Sequence, residues 1–176
     1  MSIEPYEIFF TGRNDPRDGC IVIGEDVRHV FYEFDTEVTD YAANMKTTVQ
    51  SDRQPVATFE WSMGGREFGL ATIYDRSIPM TQLVMPTGQP NARMFTSFDG
   101  RIYSWRRMQE DPNSYELIAA PGHQIGIFRR FDQETPVGPS WGTFQYIFTD
   151  PMLLLESLMA LNLNRWLDGT YGLASG

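Results

Sequence analysis

The apolar positions of the chain follow two different patterns, and the pattern changes near its C-terminal end. In the stretch TDPMLLLESLMALNLNRWLDG, residues 149–169, apolar side chains recur around nearly the whole circumference of a helix. Thr149 or Asp150 can cap the first free amide groups, and Pro151 suits the first helical position. Gly169 can adopt the left-handed conformation that ends a helix. These signals predict a helix with defined ends.

The predicted helix, over about 151–167, is too apolar for a protein surface. A helix that is hydrophobic nearly all round is buried. A membrane span is disfavoured, because the run is short for a bilayer and Glu156, Asn162, Asn164 and Arg165 interrupt it. We therefore expect the helix to form the core of the protein.

Upstream of the helix, short β-like runs alternate with turn residues, and Asp99-Gly100 is a strong hairpin signal. The predicted strands are 6–10, 20–24, 27–38, 45–51, 56–63, 66–75, 78–86, 92–98, 101–108, 114–121, 123–132 and 142–148. Two sheets in a sandwich pack about 10 Å apart and leave no room for a helix, whereas a barrel of about twelve strands has a hollow centre. The sequence thus predicts a mainly β fold, a single domain over 1–176. It is expected to be a closed antiparallel barrel of about twelve strands around the buried C-terminal helix.

Composition narrows the functions that are compatible with this fold. The net charge is −9 and the pI is near 4.6, which argues against nucleic-acid binding and against electrostatic attachment to anionic membranes. Cys20 is the single cysteine, so no disulfide framework is expected. The N-terminus, MSIEPYEIFF, lacks the pattern of a secretory signal, and a cytoplasmic location is expected.

Four segments carry a resemblance to a known group of proteins. They are TTVQSDRQPVATFEW (47–61), MFTSFDGRIYSWRR (94–107), ELIAAPGHQIGIFRR (116–130) and MLLLESLMAL (152–161). The chain resembles the tubby C-terminal-like superfamily, which includes the tubby domain, the phospholipid scramblases and the plant LURP-one-related proteins. Within it, the sequence looks most like a family of small fungal proteins of unknown function. The resemblance implies a barrel of about twelve strands around a hydrophobic helix, and it transfers no catalytic residues.

Arginines on two late strands are the candidate ligand-binding residues. They are Arg106, Arg107, Arg129 and Arg130. The period of two in a strand places Tyr103 and Trp105 on one face, which the resemblance directs towards the helix, and Arg106 on the other. The tubby domain binds phosphoinositide head groups in a basic cleft, and the planar fork of arginine suits phosphate. Alternatively, the arginines pair across strands with acidic residues, namely Asp99, Glu110, Glu116 or Asp132.

His29 is the weak candidate for catalysis, because Glu33 falls on the same face of the predicted strand and a His–carboxylate pair can exchange protons. His123 follows a Pro-Gly turn and is expected to face solvent. No ligand spacing for a metal appears, and no cofactor is expected.

The sequence therefore predicts a non-enzymatic cytoplasmic protein that binds a lipid head group, for instance of a phosphoinositide, a small ligand or a protein partner. The alternatives are a small-molecule lyase, isomerase or hydrolase that uses the His–carboxylate pair in an apolar pocket, and an intracellular lectin with aromatic side chains stacked on sugars.

Overall fold

The chain forms one antiparallel sheet and one long helix. The computed structural model describes residues 3–25, 29–39 and 44–171. The strands are β1 (Tyr6–Gly12), β2 (Cys20–Gly24), β3 (Phe31–Thr39), β4 (Asn44–Ser51), β5 (Gln54–Ser62), β6 (Glu67–Ile73), β7 (Arg76–Pro79), β8 (Met85–Pro86), β9 (Ala92–Thr96), β10 (Ile102–Arg107), β11 (Tyr115–Ala119), β12 (His123–Thr135) and β13 (Gly138–Tyr146). Two 3₁₀ turns, Met63–Gly65 and Met80–Leu83, and the helix α1 (Pro151–Asp168) complete the fold. The mainly β class predicted from the sequence is confirmed.

The order of strands in the sheet follows the order in the chain. It runs β7-β6-β5-β4-β3-β2-β1-β13-β12-β11-β10-β9-β8. Every neighbouring pair is consecutive in sequence except β1 and β13, which pair from Tyr6 opposite Tyr146 to Phe10 opposite Gly142. The two edge strands, β7 and β8, are joined by the 3₁₀ turn Met80–Leu83. In the ranges that the structure describes, no ladder joins β7 to β8, so hydrogen bonds do not close the sheet.

The helix α1 begins and ends as the sequence predicts. The Asp150 side chain accepts hydrogen bonds from the amides of Met152, at 2.9 Å, and Leu153, at 3.4 Å, and Gly169 is left-handed with φ 62°. All residues from 153 to 165 are buried, which confirms the predicted burial. Within the described residues, no helix combines the length and hydropathy needed to cross a bilayer.

Strands from distant parts of the sheet contact α1. On β10, Trp105 Nε1 donates to the Ser157 carbonyl oxygen at 2.9 Å. The ring of Trp61, on β5, lies 4.9 Å from the ring of Trp166 on the helix. Because β5 and β10 lie on opposite sides of β1 in the sheet order, the sheet must curve around the helix. Its inward side chains and the helix form one apolar core.

One predicted strand is wrong. The stretch 78–86 is not a single strand but the end of β7, a 3₁₀ turn and the two-residue β8. Pro79 and Pro86 have no N–H for a ladder, and the buried side chains of Met80 and Leu83 turn inward between them. The predicted start of the third strand, at Val27 and Arg28, lies outside the described residues.

Both ends of the sheet approach α1 at the buried carboxylate of Glu156, which is 1% exposed. Its Oε1 accepts from the amide of Phe98, next to β9, at 3.2 Å. Its Oε2 lies 3.7 Å from Nη2 of Arg76, on the edge strand β7. Burial raises the pKa of Glu156 and outweighs the lowering by Phe98 N–H and by Arg76. The carboxylate of Glu156 therefore contacts residues from both sides of the unpaired gap in the sheet.

We expect Glu156→Gln to stabilise the protein at pH 8. A carboxyl whose pKa is raised on folding stabilises the folded state at acid pH. This contribution is lost as the pH rises from the ordinary pKa of 4.5 through the higher pKa of the folded state. The glutamine carbonyl can still accept from Phe98, and it carries no charge to bury. Urea unfolding from pH 4 to pH 8 should show the advantage of the variant growing with pH.

The exposed Glu60 on β5 provides the matched control, because Glu60→Gln removes a carboxylate charge at the surface instead of in the core. If the Glu156→Gln variant is less stable than the wild type at pH 8, the contacts of the ionised carboxylate stabilise the fold by more than the burial of its charge costs.

Candidate functional site

The predicted arginines lie on β10 and β12, with β11 between them, and the first faces outward. Arg106 Nε and Nη2 donate to Glu116 Oε2 on β11 at 3.0 and 2.8 Å. The two residues are direct partners in the ladder. This ion pair is the cross-strand alternative from the sequence, and it neutralises Arg106.

The two aromatic residues of the same strand face the helix, as predicted. Trp105 is 1% exposed and Tyr103 is 5% exposed. Trp105 therefore anchors α1 through its bond to Ser157. Tyr103 borders a separate cavity of about 380 Å³ near the start of the helix, where Asp99, Arg101, Ile147 and Asp150 also contribute. Burial raises the pKa of Tyr103.

Arg106 and Arg107 line an open cleft of about 550 Å³, which we call the Arg106 cleft. Its lining comprises Gln89, Pro90, Asn91, Arg106, Arg107, Met108, Gln109, Glu110 and Glu116. Asn91 fixes one wall to the end of β10, because its carbonyl accepts from Arg107 N at 2.8 Å and its Nδ2 donates to Arg107 O at 3.2 Å. Arg107 Nε donates to Pro112 O at 2.6 Å, which holds the guanidinium at the rim.

The remaining predicted arginines do not reach this cleft. Arg129 is exposed on the outer face of β12 and borders a groove of about 300 Å³ with Ile127, Phe131 and other residues of β1, β12 and β13. Arg130 is half-buried on the opposite face of β12, with a buried Nε. Burial lowers the pKa of Arg130. The four arginines therefore occupy three different environments.

A polar cluster at the C-terminal end of α1 was not predicted from the sequence. Asp168 accepts from Arg93 Nη2 on β9 at 2.9 Å and from Tyr115 OH on β11 at 2.8 Å. Arg93 Nη1 also donates to Asn164 Oδ1 at 2.9 Å. Burial, and next the charge of Asp168, raise the pKa of Tyr115. This cluster attaches the end of the helix to two strands.

The second missed feature is Arg165, whose side chain is fully buried. Its Cζ lies 4.5 Å from the ring of Trp141 on β13. Its Nη2 donates to Asn14 O at 3.0 Å and to the Asn14 side-chain oxygen. Burial lowers the pKa of Arg165 to about 10 and raises the pKa of neighbouring Cys20 to about 12. An arginine within an apolar helix was the available signal in the sequence.

Of the candidate catalytic pair, His29 lies in solvent and Glu33 is partly buried. The His29 side chain is 77% exposed, and its Nε2 lies 2.9 Å from Oδ1 of Asp52, which is also exposed. Glu33 is on β3, where partial burial and then the neighbouring Asp35 raise its pKa. Among the described residues, the acid in contact with His29 is Asp52, and both side chains are at the surface. His123 is exposed, at the start of β12.

Comparison with known proteins gives one match. A family model described as a family of unknown function (DUF6593) matches residues 14–156. No curated protein and no solved structure matches the chain.

Proposed function

The chain belongs to DUF6593, a family of unknown function, and we propose that it is a non-enzymatic, cytoplasmic binding protein. Its ligand is a small phosphorylated polyol, such as a lipid head group, in the Arg106 cleft. The observation that carries this proposal is the cleft itself, about 550 Å³ with two arginines in its wall. The surface position of His29 supports a binding role rather than a catalytic one.

The polar groups of the cleft match a ligand that bears both phosphate and hydroxyl groups. Among the described residues, the terminal nitrogens of Arg107 and Nη1 of Arg106 make no hydrogen bond, so they can donate to phosphate. Gln89, Gln109 and Glu110 provide donors and acceptors for hydroxyl groups. The lining carries two arginines and two glutamates. This balance favours a polyol with one or a few phosphates over a bare polyanion.

We also propose that the sheet is a tubby-like barrel closed by side chains instead of a ladder. The sequential strand order and the β1–β13 pairing support a ring. At the remaining gap, the 3₁₀ turn Met80–Leu83 buries Met80 and Leu83, and Glu156 approaches both ends of the sheet. A crystal structure with β7 and β8 splayed apart around solvent would contradict this closure.

Arg107→Ala should weaken the binding of inositol trisphosphate about 10–100-fold, because a hydrogen bond to a charged group contributes about 1.5–3 kcal/mol. Isothermal titration of the purified protein measures the affinity. The matched control is Arg129→Ala, which removes the same charge outside the cleft and should bind as the wild type does.

Vesicle sedimentation distinguishes a lipid from a free metabolite. Phosphatidylcholine vesicles that contain phosphatidylinositol bisphosphate should retain the protein if the head group of a lipid is the ligand. If inositol trisphosphate binds but the vesicles do not retain the protein, the ligand is a free molecule of the same chemistry. Failure to bind either one, or equal loss in Arg107→Ala and Arg129→Ala, would contradict the proposed site.

A further inference from the structure

The charge of Arg165 has no counter-charge in the described part of the chain. Its side chain is fully buried, yet it takes part in no ion pair there. Only Nη2 has acceptors, both on Asn14, while Nε and Nη1 are buried without a hydrogen-bond partner. An unpaired buried charge is among the most unfavourable groups that a protein interior can contain.

Asp15 does not form an ion pair with Arg165. It follows Asn14 in the loop between β1 and β2, and its charge raises the pKa of Arg165. Its Oδ1 accepts from the amide of Arg17 at 2.9 Å, so it caps its own loop. The rings of Trp141 and Phe128, which meet edge to face, have centroids 4.5 and 5.6 Å from the guanidinium carbon. Aromatic rings attract the cation but provide no oxygen acceptors for its N–H groups.

A second arginine, Arg130, lies on a strand that packs against Arg165. Arg130 lies two residues after Phe128 on β12, on the same face of the strand, and its charge acts on Arg165. Its Nε is also buried without a hydrogen-bond partner. Arg130 thus shares a strand face with Phe128, whose ring contacts Arg165, and both arginines have buried donors without a partner. Guanidinium donors of this kind are the groups that proteins use to bind anions.

We propose that Arg165 and Arg130 bind a small anion, a halide or a compact oxyanion such as acetate or phosphate, inside the end of the sheet that faces the C-terminus of α1. Asp132 and Asp111 act on the charge of Arg130, whereas no described acid forms an ion pair with Arg165. Water would satisfy the unused donors but would leave the buried charge of Arg165 without a counter-charge, and an anion would supply both. Because the buried side chains of Trp141, Phe128 and Cys20 lie around Arg165, we expect an occupant of only a few atoms. This site is separate from the Arg106 cleft and does not depend on its function.

Thermal unfolding at constant ionic strength tests the proposal. Gluconate, which is larger than the proposed occupants, is exchanged stepwise for chloride, acetate or phosphate, and the three series identify the preferred anion. Above the dissociation constant, each tenfold rise in a bound anion should raise the Tm of the wild type by about 3–5 °C. Arg130→Met should reduce this slope, while the matched control Arg129→Met, on the outer face of the same strand, should retain it.

General effects of salt on stability act equally on the wild type, Arg130→Met and Arg129→Met. The difference between their slopes of Tm against anion concentration therefore reports on the proposed site. Crystals of the wild type grown in bromide provide a second readout that needs no variant, and an anomalous peak is expected beside the Arg165 guanidinium. Equal slopes in the wild type and Arg130→Met, or a bromide crystal with only water at that position, would overturn the proposal.

Discussion

Replacing Leu158 by alanine should lower the free energy of unfolding by about 2–5 kcal/mol, the range for a large aliphatic side chain deleted from a packed core. Leu158 is 1% exposed, in the middle of α1. The sheet around it is fixed by its own ladders, so the cavity cannot collapse freely. Urea denaturation followed by tryptophan fluorescence and circular dichroism gives the loss.

Leu167 provides the matched control on the same helix. Its side chain is 42% exposed, and leucine and alanine have similar helix propensities. Leu167→Ala should therefore change the stability by less than about 1 kcal/mol. Similar losses for the two variants would show that the helix does not lie in the centre of the molecule.

Gly12→Ala should destabilise the protein by about 3 kcal/mol, since two unfavourable terms add at this position. Gly12 ends β1 with φ 69°, a left-handed conformation that costs most residues about 1–2 kcal/mol. In addition, a Cβ would overlap the carbonyl oxygen of Gly19, which the turn needs as the acceptor for Arg13 N at 2.7 Å. The expected result is a lower midpoint in both thermal and urea unfolding.

Gly100→Ala separates the two terms. Gly100 has φ 83°, but no atom of the described residues lies within 4 Å of the position that a Cβ would take. Its replacement should cost only the backbone term of about 1–2 kcal/mol. An equal loss at Gly12 and Gly100 would mean that the turn between β1 and β2 yields to the extra methyl group.

The Gly12 variant has a further effect that Gly100→Ala should lack. The loop after Gly12 carries Asn14, which accepts from Arg165, and Arg17, whose guanidinium lies 4.8 Å from the ring of Trp61. A shifted turn would expose the buried end of α1. Hydrogen exchange of the amides near Arg165 should therefore speed up in Gly12→Ala.

Local signals predicted the regular elements because each of them depends on nearby residues. The cap at Asp150, the stop at Gly169 and the strand Cys20–Gly24 follow from such rules, and the structure has all three. The all-round apolar character of the helix predicted its burial because no water-facing position remained. The prediction of a strand over 78–86 was wrong because a 3₁₀ turn buries the apolar residues of this segment. Over so few residues, the spacing of apolar positions in such a turn resembles that of a weak strand.

The candidate sites were less predictable because they depend on which strands become neighbours. The sequence named Arg106 and Glu116 as possible partners, but only the register puts them opposite each other. It grouped Arg129 and Arg130 as one feature, although alternation in a strand sends them to opposite faces. Arg165 interacts with residues from the other end of the chain, such as Asn14, and no local pattern reveals that pairing.

The position of α1 after every strand has a consequence for biosynthesis. During translation, the aromatic lining of the sheet, including Phe34, Trp105 and Phe144, emerges before the segment that covers it. The ladder between β1 and β13 joins residues such as Tyr6 and Tyr146, which are also far apart in synthesis. The apolar core can therefore be completed only after residue 168 has left the ribosome.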